Sequence, residues 1–103
     1  MNNEKSQKTI VIFRKYPNGE ILALFPEIPC SSPYLCSSYL HIGQHGDANY
    51  RVVLKQTKPI KKGEALELEA ELRRIGYNLD VKERLTQVMW NNLIKNYKEM
   101  VDV

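Results

Sequence analysis

Hydrophobic and polar positions along this chain change period several times, and each change predicts an element. Thr9 to Lys15 (TIVIFRK) is β-branched and aromatic, the composition of a strand. Tyr16-Pro17-Asn18-Gly19 follows. Pro17 presets φ for a first turn position, and Asn18 and Gly19 tolerate positive φ, so a hairpin is expected. Glu20 to Phe25 (EILALF) is the return strand, ended by Pro26. Both strands are apolar on both faces, which predicts a central, covered place in the sheet.

Glu27 to Ser37 holds two prolines and three serines and is expected to be a loop. Ser38 to Ile42 is a short strand candidate, and Gly43 to Asn49 (GQHGDAN) a second loop. Tyr50 to Gln56 alternates, Tyr50, Val52 and Leu54 against Arg51, Val53 and Lys55, and predicts a half-buried strand. After a basic linker, Thr57 to Gly63, the spacing of Ala65, Leu68, Leu72 and Ile75 predicts a helix over Glu64 to Ile75. Its acids crowd the first half, Arg73 and Arg74 close the last turn, and Gly76 sits where a left-handed cap belongs. Tyr77 to Lys82 alternates again. A last helix, Leu85 to Met100, carries Met89, Leu93, Tyr97 and Met100 on one stripe, with Trp90 beside it as a core residue. The order β-β-β-β-α-β-α predicts an α+β fold, a mainly antiparallel sheet of four to five short strands with two helices packed on one face.

At 103 residues, 43% hydrophobic and 26% charged, the chain has the make-up of one globular domain, expected over 9–103 after a flexible tail at 1–8. It has no apolar run of the ~20 residues a membrane span needs, and its first residues are polar, unlike a signal peptide. A cytoplasmic monomer or small homo-oligomer with reduced Cys30 and Cys36 is expected, with no membrane contact. Net charge is +3, and it is local. Arg51, Lys55, Lys58, Lys61 and Lys62 fall in one segment without an acid, so the remaining residues sum to −2.

Candidate chemistry concentrates elsewhere. Cys30, Cys36, His41 and His45, with Asp47 just beyond, are a tetrahedral zinc set in kind, but five residues between the cysteines do not fit a zinc knuckle. No metal or other cofactor is therefore expected. The same residues could be read as a Cys-His-Asp hydrolase, yet no nucleophile elbow accompanies them. Gly43 and Gly46 without a following Lys-Ser/Thr are not a phosphate loop. The expected ligand or partner surface is Tyr39, His41, Gln44, His45 and Asp47, because glycines expose this backbone and histidines titrate near neutral pH. The cationic segment is the expected place for weak, non-specific nucleic-acid binding, with Tyr16, Tyr34, Tyr39 and Tyr50 as candidate stacking aromatics.

Two resemblances add to this. Phe13-Arg14-Lys15, Ile21 to Pro29 (ILALFPEIP) and Tyr39 to Gly46 (YLHIGQHG), with Ile75-Gly76-Tyr77, resemble a family of small uncharacterised proteins of bacteria, phages and mobile elements. That likeness runs from about Thr9 to Arg84 and implies an accessory gene product. The hairpin feeding into Phe25 to Cys30 (FPEIPC) is similar, over some twenty residues, to the start of HicB-type antitoxin domains, where a helix follows. The function expected is an accessory or binding protein without catalytic machinery, engaging a protein or a nucleic acid. The alternative is a small enzyme or metal protein built on Cys30 to Asp47.

Overall fold

A computed structural model describes residues 8–40 and 44–101, the side chain of Gln44 excepted. Residues 1–7 of the tail expected over 1–8, with His41, Ile42 and Gly43, lie outside the described residues. Strands β1 (Thr9–Lys15) and β2 (Ile21–Pro29) form the expected antiparallel hairpin, with Phe13 opposite Ala23. Its turn works as its residues dictate. Gly19 N–H donates to Tyr16 O (2.9 Å), Gly19 takes φ 95°, and Asn18 Oδ1 accepts the Glu20 N–H at 3.0 Å. Strands β3 (Cys36–Leu40) and β4 (Gln44–Ala48) continue the sheet antiparallel on the β2 side.

Beyond β1, the opposite edge is shared. β5 (Lys58–Pro59) pairs antiparallel with Arg14 and Lys15, and β6 (Leu79–Lys82) pairs parallel with Thr9 to Ile12. The fold is α+β and mainly antiparallel, with six strands and three helices among the described residues. The helices are α1 (Tyr50–Gln56), α2 (Leu66–Arg74) and α3 (Gln87–Val101).

Three local expectations are corrected. Tyr50 to Gln56 is a helix, not a strand. Asn49 caps it, its Oδ1 accepting from Arg51 N–H (3.0 Å) and Val52 N–H (3.3 Å). Its buried residues are Tyr50 and Val53, three apart, a helical spacing that coexists with the alternation in so short a stretch. Gly43 to Asn49 is not a loop where it is described: β4 is held by its ladder to β3. The segment Glu27 to Ser37 is loop only in its middle. β2 runs past Pro26 to Pro29 through an irregular register, the place where a strand tolerates proline, and β3 begins at Cys36. After this proline-rich segment the chain enters a short loop and two strands before α1.

The expectation of helices on one face is also corrected. Val11, Phe13, Ala23, Phe25 and Tyr39 pack under α2 through Leu68 and Leu72. Leu22, Leu24, Cys36 and Ala48 pack on the other face under α1 and α3, against Tyr50, Val53 and Leu93. A central hairpin that is apolar on both faces needs both covered, since each buried large side chain contributes roughly 1.5–3 kcal/mol. Polar ties fix these layers. Arg14 donates to Thr57 O (2.9 Å) and Thr57 Oγ1 (3.0 Å), satisfying the C-terminal end of α1. Asn92 and Asn96 of α3 donate to the Glu27 carboxylate and carbonyl, both at 2.8 Å. Gly76, at φ 115°, lets Gly76 and Tyr77 return N–H bonds to Arg73 and Leu72, closing α2 as the sequence predicts.

Candidate functional site

The structure separates the two regions that the sequence singles out. The first is the expected ligand surface. Strand pairing puts Tyr39 beside His45, and Ser37 beside Asp47, on the α2 face of the sheet. Tyr39 is not on the surface: it is buried, and its hydroxyl donates to the Glu71 carboxylate of α2. His45 is exposed, its ring edge-on to Tyr39 (4.6 Å) and its Nε2 3.1 Å from Tyr77 Oη. Tyr77 in turn stacks on Phe25, centroids 4.8 Å apart. Gln44 is placed by its backbone, opposite Leu40, and His41 lies outside the described residues.

Asp47 points away from this cluster's histidine chemistry and toward the cysteines. Its carboxylate accepts from Ser31 Oγ at 2.9 Å. Burial, with the adjacent Asp47 carboxylate, pushes the Cys30 thiol up to about 11. Burial, with Cys30 close by, pushes Cys36 up to about 12. Both cysteines are free, and Cys36 is buried. A thiol in such surroundings is protonated at neutral pH and a poor nucleophile. No described histidine is bonded to either thiol, so the order of contacts a Cys-His-Asp hydrolase needs is not assembled. Among the described residues, no group of three or more His, Cys, Asp or Glu converges to hold a metal ion. An open groove of about 570 Å³ runs between β4 and α1, past His45, Asp47 and Val52.

The second region is the cationic segment. Because Tyr50 to Gln56 is helical, Arg51 and Lys55 stand one turn apart on the exposed side of α1. Lys58 lies on β5, and Lys61 and Lys62 on the loop that follows. All five are exposed. Among the described residues, none of the four lysines is in an ion pair. The loop is held in shape by Glu64, whose carboxylate accepts from Lys15 Nζ (2.7 Å) and from the Lys61 N–H (2.6 Å). Those two bonds hold Glu64 below the usual carboxylate range. Behind the loop, an open groove of about 630 Å³ occupies the notch between β5 and β6, where Phe13 is the one β1 residue without a partner across that edge. Ile60, Leu66 and Val81 line it together with charged residues of both signs, among them Lys61, Lys62, Glu69 and Glu83.

The tyrosines sort by depth. Tyr39 and Tyr50 are buried, Tyr16 is half-buried, and Tyr34 is 56% exposed. Tyr50 donates its hydroxyl to Pro26 O, and burial raises its pKa. Trp90, expected in the core, is half-buried at the surface of α3. Tyr34 stacks on it (6.1 Å, 24° between planes), Tyr50 meets it edge-on (5.3 Å), and the Arg51 guanidinium lies 5.8 Å from its centroid. Tyr34 and Trp90 lie 17 and 39 residues from Arg51 in the chain, a separation that no local pattern links. No helix among the described residues is long and apolar enough to cross a membrane. Comparisons with protein-family models, with curated proteins and with solved structures find no match to this chain.

Proposed function

We propose that this chain is a small, non-catalytic binding protein that takes a polyanionic partner, a nucleic acid, through the cationic segment Arg51 to Lys62. The observation that carries this reading is that five cations are exposed along one twelve-residue segment, with no acid among them and no described ion pair on the lysines. Releasing counterions from a phosphate backbone is the main source of sequence-independent affinity, and it needs unpaired cations. The residues with catalytic potential support the reading from the other side, since both thiols are held protonated and His45 is engaged by Tyr77.

Fluorescence anisotropy of a labelled oligonucleotide at about 50 and 200 mM salt tests this. If five phosphates are contacted, affinity falls by roughly two to three orders of magnitude over that range. Reversing Lys58, Lys61 and Lys62 to glutamate abolishes binding while the domain stays folded. Binding that is tight, salt-tolerant and unaffected by the reversal overturns the proposal.

A further inference from the structure

We infer that the nucleic acid taken is single-stranded, and that one of its bases stacks on Tyr34 at the α1 end of the cationic segment. This inference rests on the reading just given. Tyr34 and Arg51 come from distant parts of the chain and meet on one indole. Tyr34 lies nearly parallel to Trp90, and the Arg51 guanidinium sits 5.8 Å from the same ring. More than half of Tyr34 remains exposed, so the stack can be extended outward by one more ring. The platform is built in advance. Ser32 Oγ accepts the Tyr34 N–H at 3.2 Å, and the loop is closed by Leu35 N–H to Ser32 O (3.2 Å) and Cys30 N–H to Leu35 O (3.1 Å). Below, Tyr50 holds the indole edge-on, and its hydroxyl is bonded to Pro26 O. A stacking surface that is ordered before binding loses little entropy when a base arrives.

From Arg51 the exposed cations continue in sequence through Lys55 on α1 to Lys58 on β5 and Lys61 and Lys62 after it, and Arg51, which meets the platform, supplies the first phosphate partner. Aromatic stacking beside a cationic track is how sequence-tolerant single-strand binding works, because every base presents a π-face. A duplex hides those faces inside its own stack and meets only the cations. The seven-residue α1 carries Arg51 and Lys55 as its only cations, too few to read base edges in a groove. An acidic polypeptide would satisfy the lysines but leave a planar aromatic platform unused.

The test uses the full chain, whose one tryptophan, Trp90, reports directly on the platform. A labelled oligo-dT strand, a duplex of equal length and polyglutamate are titrated while anisotropy and Trp90 emission are recorded. The single strand is expected to bind more tightly than the duplex and to change Trp90 emission. Tyr34→Ala should weaken single-strand binding by about five- to 150-fold, the loss of one stacked base, with duplex binding unchanged and Tyr34→Phe close to the parent. Circular dichroism confirms that each variant is folded. If Tyr34→Ala leaves single-strand affinity unchanged, or strand and duplex bind alike, the platform is refuted while the cationic reading stands. Equal competition by polyglutamate with silent Trp90 emission points to an acidic polypeptide and overturns the inference. Failure of every oligonucleotide to bind sinks both proposals.

Discussion

The region from Cys30 to Asp47 and the segment from Arg51 to Lys62 adjoin in sequence and contrast in chemistry. The first holds both cysteines and the described histidine, the residue types from which active sites are built. Its groups are largely spent on partners inside the protein: Tyr39 on Glu71, His45 on Tyr77, Asp47 on Ser31 and Cys30. The second holds only ordinary cations, yet its lysines have no partner among the described residues. The lesson is that availability, not residue type, marks a surface that can act. A polar group already satisfied inside the protein gains only the difference between two partners when it meets a ligand.

Four measurements test that contrast, taken in falling order of the effect expected per residue. Tyr39→Ala should destabilise the domain by about 3–5 kcal/mol in urea unfolding, as truncation of a buried aromatic does. An unchanged midpoint would put Tyr39 back on the surface. Next comes pH. The Cys36 thiol is raised from 9.0 to about 12 in the folded chain, so the folded state keeps its proton where the unfolded state has lost it. The stability this contributes is complete below about pH 9 and is lost as pH rises toward 12. Melting temperature should therefore fall across that window, and Cys36→Ala should lessen the fall, with the raised Cys30 and Tyr50 contributing the remainder. Identical slopes in the two proteins would show that Cys36 is not the group responsible.

His45→Ala should cost less than about 1 kcal/mol, since an exposed hydrogen bond and one edge contact are lost. A cost of several kcal/mol would make His45 a structural post of the α2 face. Finally, Lys58, Lys61 and Lys62 changed together to alanine should move thermal stability by no more than about 0.5 kcal/mol per site, because exposed and unpaired charges hold nothing in place. A large loss would show that the segment is built into the fold.

Legibility along the chain follows the range of the forces involved. The hairpin, α2 and its glycine cap, and β6 could be read because the signals are local. Pro17 and Gly19 make the turn, Leu68 and Leu72 make the helical face, and Gly76 alone takes the left-handed cap. Tyr50 to Gln56 was ambiguous, since seven residues satisfy two periods at once. Asn49 was the overlooked signal, a capping side chain directly before the segment. β4 had no signal of its own: a glycine- and aspartate-bearing stretch is poor strand material, and only the ladder from Cys36 to Leu40 makes it one.

The candidate site divides in the same way. The cationic segment is legible in the sequence alone, because five positive charges without an acid are a property of composition. The sequence also implied a two-sided core, since β1 and β2 are apolar on both faces, although helices on one face were expected. Only the tertiary structure decided which groups are free. It buried Tyr39 and Tyr50, left Tyr34 outside, and brought Tyr34, Arg51 and Trp90 onto one ring system. Charge and period are written in single residues and their near neighbours. Burial and pairing belong to contacts between positions tens of residues apart, which no local pattern encodes.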